Sequence, residues 1–150
     1  MLHERALSLN PALPLAWCYS GLAQCYLGCH DVAIEQISRA QTLAPHDPHA
    51  FFFDTALMMP YFLQNDFERA LASGRRALEL NPGFTSTYKG YLATLGQLGR
   101  TTEAARLLAR LLELEPGFCV RSALERSPMK RLSDQHLYAE GLRRAGLPES

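Results

Sequence analysis

Four dipeptides that end in proline divide this chain into three intervals of nearly equal length. They are Asn10-Pro11, Ala44-Pro45, Asn81-Pro82 and Glu115-Pro116, and their prolines lie 34, 37 and 34 residues apart. Each interval contains an apolar segment with aromatic residues, a short polar break, and a second segment with alanine near its start. Because proline lacks an amide hydrogen and restricts the residue before it, it typically follows the end of a helix. The spacing therefore predicts a repeat with two helices in each unit.

The predicted helices pair within each unit. First helices are expected at 14–27, 48–63 and 84–97, and second helices at 31–43, 66–80 and 101–114. In the first unit, Gly21 and Ala33 are small enough for two antiparallel helices to approach closely, and Ile37 fills the space beside them. One pair of helices cannot bury its apolar face alone, so neighbouring units must stack and share a continuous core.

The residues of these units resemble the tetratricopeptide repeat (TPR) motif. The first unit carries Trp17, Gly21, Ala33, Ala40 and Pro45 at the motif positions, and the other two units keep the same phase. Ser20 and Gln24 depart from the usual leucine and tyrosine. The resemblance implies an all-α fold, in which helical hairpins form a right-handed superhelical solenoid closed by a C-terminal capping helix.

The repeat also predicts how the domain is organised. Residues 1–150 are expected to form a single TPR domain, with a half repeat (1–13), a repeat (14–47), a repeat with a three-residue insertion (48–84), a repeat (85–118) and a C-terminal cap (119–150). In the cap, Ser133 is expected to start a helix over Asp134–Ala145, and Gly146 to end it. The half repeat lacks its partner helix, so we expect a fragment or the end of a longer protein, and self-association through the exposed residues 1–9.

Charge and composition argue against several classes of protein. Fifteen Lys and Arg residues balance 15 Asp and Glu residues, which disfavours nucleic-acid binding led by phosphate neutralisation. The longest apolar run, Ala56–Leu63, is far too short for a membrane span, and the start lacks the order of a signal peptide. Four cysteines without disulfide-framework spacing suit a reducing compartment. We therefore expect a cytoplasmic protein with no membrane or nucleic acid among its partners.

No motif in the chain combines a nucleophile with a base, so no catalytic residue, metal ligand or cofactor is predicted. Cys25, Cys29 and His30 are the nearest approach to a metal site, but no second ligand pair follows at zinc-site spacing. In the Pro45–His49 turn two histidines flank Asp47, which we interpret as the cap of the next helix. A small Cys/His metal-binding protein or thiol enzyme remains the competing class.

Basic residues concentrate in the last third of the chain, where Glu125, Asp134 and Glu140 accompany them. They form either a nucleic-acid surface or the solvated face of the cap. Aromatic residues are not interleaved among them, which favours the second interpretation. The basic residues are Arg121, Arg126, Lys130, Arg131, Arg143 and Arg144.

The resemblance to TPR arrays places the first helix of each unit on the concave side of the superhelix. The lining expected there is largely apolar, which favours an apolar helix or an extended segment of a partner protein as the ligand. Tyr26, Met59 and Phe62 are the expected anchors. A shift of one position along the helices would instead place several of these residues in the core. The predicted groove residues are Cys18, Leu22, Cys25, Tyr26, Phe52, Thr55, Met59, Phe62, Lys89 and Gln97, with Ala93 and Gly96 beside them.

Longer stretches resemble one bacterial group of signalling proteins. These stretches are Pro45–Pro48, Asp66–Ala70, Arg75–Pro82, Leu98–Arg106 and Glu140–Glu149. They are similar to the C-terminal TPR regions of proteins whose N-terminal halves carry a class III adenylate/guanylate cyclase domain or a winged-helix DNA-binding domain. The resemblance implies a protein-interaction or regulatory module and not an enzyme. A free-standing adaptor without an effector domain is the alternative.

Overall fold

The computed structural model describes residues 13–150, and all regular secondary structure in that range is helical. The predicted all-α fold is confirmed, and the six long helices of the repeats begin and end within two residues of their predicted spans. The predicted half repeat lies, except for Leu13, outside the described residues. The helices are α1 (Pro14–Tyr26), α2 (His30–Leu43), α3 (Ala50–Leu63), α4 (Phe67–Leu80), α5 (Thr85–Gln97), α6 (Thr101–Leu114), α7 (Val120–Arg126) and α8 (Leu132–Arg144).

The first helix of each repeat ends in a turn with left-handed backbone geometry. Gly28, Asn65 and Gly99 have φ angles of 94°, 63° and 70°. The residue after each of them donates its amide hydrogen to the carbonyl five residues before it, as Cys29 does to Gln24 (2.9 Å). Glycine adopts this conformation without steric cost, and asparagine tolerates it. The turn reverses the chain, so that the two helices of each repeat pack as a hairpin.

Close packing within the first hairpin depends on a missing side chain. A Cβ atom at Gly21 would lie 2.5 Å from Ile37 Cγ1 and 3.0 Å from the Ala33 carbonyl oxygen. Ala33, Ile37 and Ala40 have no exposed surface. The structure therefore places the small residues Gly21 and Ala33, with Ile37 beside them, at the helix contact where the sequence predicted them.

After α6 the chain folds back over the first helices of the repeats. α8 packs against α5 so closely that a Cβ atom at Gly141 would lie 2.5 Å from the Ala93 carbonyl oxygen. α7 is held by the end of the chain, because Val120 N–H donates to Pro148 O (2.9 Å) and Arg121 N–H donates to Glu149 O (3.0 Å). α8 is thus fixed to the last repeat, and α7 is fixed to the C-terminal residues that follow α8.

Two predicted helix starts are wrong in detail. α8 begins at Leu132, and its N-cap residue Arg131 makes no side-chain capping bond, so Ser133 does not start the helix. Asp47 does not cap α3, because its carboxylate accepts hydrogen bonds from the backbone (2.7 Å) and ring (2.8 Å) of His49 and closes a tight turn. The docking of the cap decided where α8 starts, and the turn contacts of Asp47 decided where α3 starts.

The end of the cap helix agrees with the prediction. Gly146 has a φ of 97°, and Leu147 N–H donates to Leu142 O at 3.1 Å, which closes the same type of turn as in the repeats. Within residues 13–150, none of the helices combines the length and the apolar character needed to cross a membrane.

Candidate partner-binding groove

The first helices of the repeats and the C-terminal cap enclose a cavity of about 280 Å³. α1, α3 and α5 contribute one side, and α7 with the residues after it contributes the other. This volume lies just below the roughly 300–1,000 Å³ range of ligand pockets, so it suits side chains of an extended segment and not a whole helix. The lining residues are Leu22, Tyr26, Phe52, Thr55, Ala56, Met58, Met59, Phe84, Ser86, Lys89, Gly90, Phe118, Ala123, Arg126, Ser127, Pro128, Met129 and Tyr138.

Six of the ten predicted groove residues line this cavity, and all six are half-buried. The ring of Phe52 lies 5.6 Å from that of Tyr19 and 6.2 Å from that of Phe84, measured between centroids. The three rings form an aromatic wall, in which each ring is held in place by its neighbour. The six residues are Leu22, Tyr26, Phe52, Thr55, Met59 and Lys89.

Three predicted groove residues lie in the core, so the expectation that they line the groove is wrong. Cys18, Cys25 and Phe62 have no exposed surface. Cys18 and Cys25 share the face of α1 that carries Gly21, and this face packs against α2. Phe62 packs against Phe67 and against Tyr138 of the cap. These positions bind the helices together and leave a partner no surface.

Gln97 contacts the cap and not an open groove. Its Nε2 donates to the carbonyl oxygen of Leu137 (3.0 Å), and its Oε1 accepts from Arg144 (3.4 Å). Ala93 and Gly96 are buried beneath α8 at the same contact. The prediction that these positions line the groove is therefore wrong, because α8 covers this part of α5.

Charged groups at the rim of the cavity form a closed network. Lys89 Nζ and Arg126 Nη1 each lie 3.1 Å from a different carboxylate oxygen of Glu115. The Lys89 ammonium also lies 4.8 Å from the centre of the Phe118 ring. Burial acts to raise the pKa of Glu115, but the hydrogen bonds and charges of Lys89 and Arg126 outweigh it and hold that pKa below its usual value. The Lys89 ammonium group is thus engaged by Glu115 and Phe118 within the chain.

The segment Ser127–Arg131, which we call the strap, joins α7 to α8 and closes one side of the cavity. Sequence reasoning missed its part in the site, together with Phe84 and Phe118. The break at Ser127-Pro128 was a usable signal, because an X-Pro step favours extended backbone. Met129, the apolar residue that follows this step, is buried at the cavity.

The candidate Cys/His site is not assembled. Cys25 is buried, Cys29 is exposed, and the His30 ring nitrogen Nε2 lies 3.0 Å from Asp134 Oδ2. Burial, followed by the charge of Asp134, raises the pKa of the Cys25 thiol to about 12, which opposes its use as a nucleophile or metal ligand. In the part of the chain that the structure describes, no group of three or more His, Cys, Asp and Glu side chains is placed to hold a metal ion.

Five of the six basic residues of the cap are engaged within the chain. Arg131 donates to a backbone carbonyl, and four others pair with carboxylates, which compensates much of the positive charge of this region. The pairs are Arg121 with Glu125, Arg126 with Glu115, Arg143 with Glu149, Arg144 with Glu140, and Arg131 with the carbonyl of Gly28.

Comparison with known proteins identifies the fold. No protein-family model and no curated protein sequence matches the chain. A crystal structure of MamA is similar over 95% of this chain and 82% of that one, with a TM-score of 0.67 and 17% sequence identity. The fold is a TPR-like helical solenoid. At this level of identity the similarity establishes architecture, and it agrees with the repeat predicted from the proline spacing.

Proposed function

We propose that this chain is a protein-interaction module that binds an extended apolar segment of a partner protein in the groove between α1, α3 and α5. The observation that carries the proposal is the cavity itself, where half-buried aromatic and methionine side chains surround a space too small for a helix. Such sites bind a few large side chains as anchors and gain most of their affinity from them. Tyr26 and Met59 are the central anchors among the groove residues.

The proposed setting is the cytoplasm of a bacterium, where the chain is the C-terminal regulatory part of a signalling protein and has no catalytic activity of its own. The resemblance of its repeat motifs to cyclase-like and winged-helix regulatory proteins supports this setting. The gene sequence upstream of Met1 tests it. An in-frame cyclase or winged-helix domain is the expected result, and a start codon at Met1 with no such domain would favour the free-standing adaptor.

Selection of peptides tests the groove. A library of short random peptides is screened against the protein, and the dissociation constants of the selected peptides are measured by fluorescence anisotropy. We expect peptides with large apolar residues, and we expect Tyr26→Ala and Met59→Ala each to weaken them about fivefold or more, because each truncation removes an anchor.

Two further variants serve as controls. Leu43→Ala alters an exposed leucine away from the cavity and should leave the affinity unchanged. Phe62→Ala removes a fully buried ring, so it should lower the free energy of unfolding by about 3–5 kcal/mol without changing the affinity of the folded fraction. Selected peptides that bind wild type, Tyr26→Ala and Met59→Ala equally would contradict the proposal.

A further inference from the structure

The strap lies against the repeats in the manner of a bound extended peptide. Residues 127–131 are non-helical, with φ and ψ of −71° and 127° at Ser127 and −84° and 130° at Arg131. Met129 is only 4% exposed, whereas Pro128 and Lys130 on either side of it are exposed. This alternation is that of an extended chain with one inward side chain. The strap therefore presents a single methionine anchor to the groove.

Main-chain hydrogen bonds hold the strap in this position. Lys130 N–H donates to the carbonyl oxygen of Tyr26 at 2.9 Å, and Tyr26 is the last residue of α1, where carbonyls lack partners within the helix. On the other side, Gln135 Nε2 donates to the Met129 carbonyl oxygen at 2.8 Å. Extended peptides generally gain affinity from such backbone bonds and specificity from anchor side chains.

A polar contact outside the cavity holds the strap in place. His30 Nε2 lies 3.0 Å from Asp134 Oδ2, and these two side chains are 10% and 5% exposed. We call this pair the latch. Beside it, Arg131 Nη1 donates to the Gly28 carbonyl oxygen at 3.3 Å. The latch joins the first residue of α2 to the first turn of α8, and neither of its residues lines the cavity.

The helices on both sides of the strap have their own attachments. α8 is held on α5 by the close contact at Gly96 and Gly141, and α7 is held by backbone bonds from Val120 and Arg121 to the end of the chain. Release of the strap therefore needs only the loss of its own few contacts and of the latch. Local openings of this kind cost less free energy than unfolding of the domain.

We propose that the strap is an internal ligand of the groove, and that a partner segment displaces it by placing a methionine or another long unbranched apolar side chain where Met129 lies. This inference rests on the proposed function, because it names the ligand class and the regulation of the same groove. The flexible thioether of methionine fits irregular apolar spaces. A partner that competes with the strap binds with an apparent affinity reduced by the fraction of molecules in which the groove is open.

The latch provides a test that leaves every groove residue unchanged. A peptide selected on the wild-type protein is titrated against wild type, His30→Ala and His136→Ala, where His136 is an exposed histidine of α8 and serves as the matched control. We expect His30→Ala to tighten binding about threefold or more, since it raises the open fraction, and His136→Ala to leave binding unchanged. Asp134→Asn replaces His30→Ala if that variant does not fold by circular dichroism.

Hydrogen exchange supplies an independent readout in the wild-type protein. Saturating peptide should accelerate exchange of the Lys130 amide, which donates to Tyr26 in the free protein, while amides in the middle of α8 stay protected. Slower or unchanged exchange at Lys130, or binding to His30→Ala that is no tighter than binding to wild type, would mean that the strap is a fixed wall of the groove. Either result would overturn this inference and leave the proposed function standing. Met129→Ser removes the methionine anchor of the strap and should leave the groove open. If the library yields no binder to wild type and none to Met129→Ser, the proposed function fails as well.

Discussion

Cysteine side chains that are close in sequence have different surroundings in this fold. Cys18 and Cys25 face α2 without exposed surface, whereas Cys29 lies in the exposed turn before α2. Burial raises the pKa of both buried thiols to about 12. The reactive form of cysteine is the thiolate, so burial and a raised pKa both suppress reaction.

These surroundings predict an order of thiol reactivity. At neutral pH, iodoacetamide should modify Cys29 in the folded protein, while Cys18 and Cys25 should react only after denaturation. All three cysteines lie on the one tryptic peptide 6–39, so tandem mass spectrometry of its fragment ions measures the three sites separately, with a urea-denatured sample as the control. Modification of Cys25 at the rate of Cys29 in the native protein would contradict the placement of Cys25 in the core.

At the scale of helices, α5 and α8 meet through glycine residues. A Cβ atom at Gly141 would lie 2.5 Å from a backbone oxygen of α5, and backbone cannot turn aside as a flexible side chain does. Alanine normally stabilises the interior of a helix relative to glycine. A loss of stability on replacing a glycine by alanine here would therefore report on packing.

We therefore expect Gly141→Ala to lower the free energy of unfolding by about 1–3 kcal/mol, because overpacking outweighs the gain in helix propensity. Gly83→Ala is the matched control, since its nearest contact would be an ordinary 3.5 Å and its backbone does not require glycine. That variant should stay within about 1 kcal/mol of wild type. Urea denaturation measures the free energy of unfolding of both variants. A Gly141→Ala variant as stable as wild type, or more stable, would contradict the close contact of α8 with α5 at Gly141.

At the scale of the whole molecule, Glu115 connects the last repeat to the cap. It lies just after α6 and pairs with Lys89 of α5 and Arg126 of α7. Its pKa is lower in the folded protein than its usual value, so its contribution to stability is complete above the pKa of the unfolded chain. That contribution is lost as the pH falls through the lower, folded pKa.

This linkage predicts a pH-dependent effect of Glu115→Gln. Near neutral pH the variant should be less stable than wild type by about 1 kcal/mol, because the carboxylate and its two ion pairs are lost. The difference should shrink as the pH falls below about 4, where the wild-type carboxyl also becomes neutral. Urea denaturation at a series of pH values measures the difference, and one that stays constant down to the acid limit would contradict this role for the carboxylate.

The sequence alone determined the repeat, the helix spans and the helix faces that pack within a hairpin. Proline spacing, the polar breaks and small residues such as Gly21 and Ala33 are local signals, because they act through backbone geometry and the 3.6-residue period. The resemblance to TPR arrays placed Leu22, Tyr26 and Met59 in the groove, and all three line the cavity. It also misplaced Cys18 and Phe62, because a shift of one position along a helix moves a side chain from the groove to the core.

Only the tertiary structure decided what covers the groove. The contacts of Gly96 with Gly141, of Tyr26 with Lys130 and of the latch join residues far apart along the chain. No local pattern encodes such pairings, because a glycine within a helix or a lone histidine at the start of a helix looks the same in the sequence with and without a distant partner. The return of the chain over its own concave face depends on the packing of the whole molecule, and it leaves part of the groove closed by α8, part by the strap, and a small cavity between them.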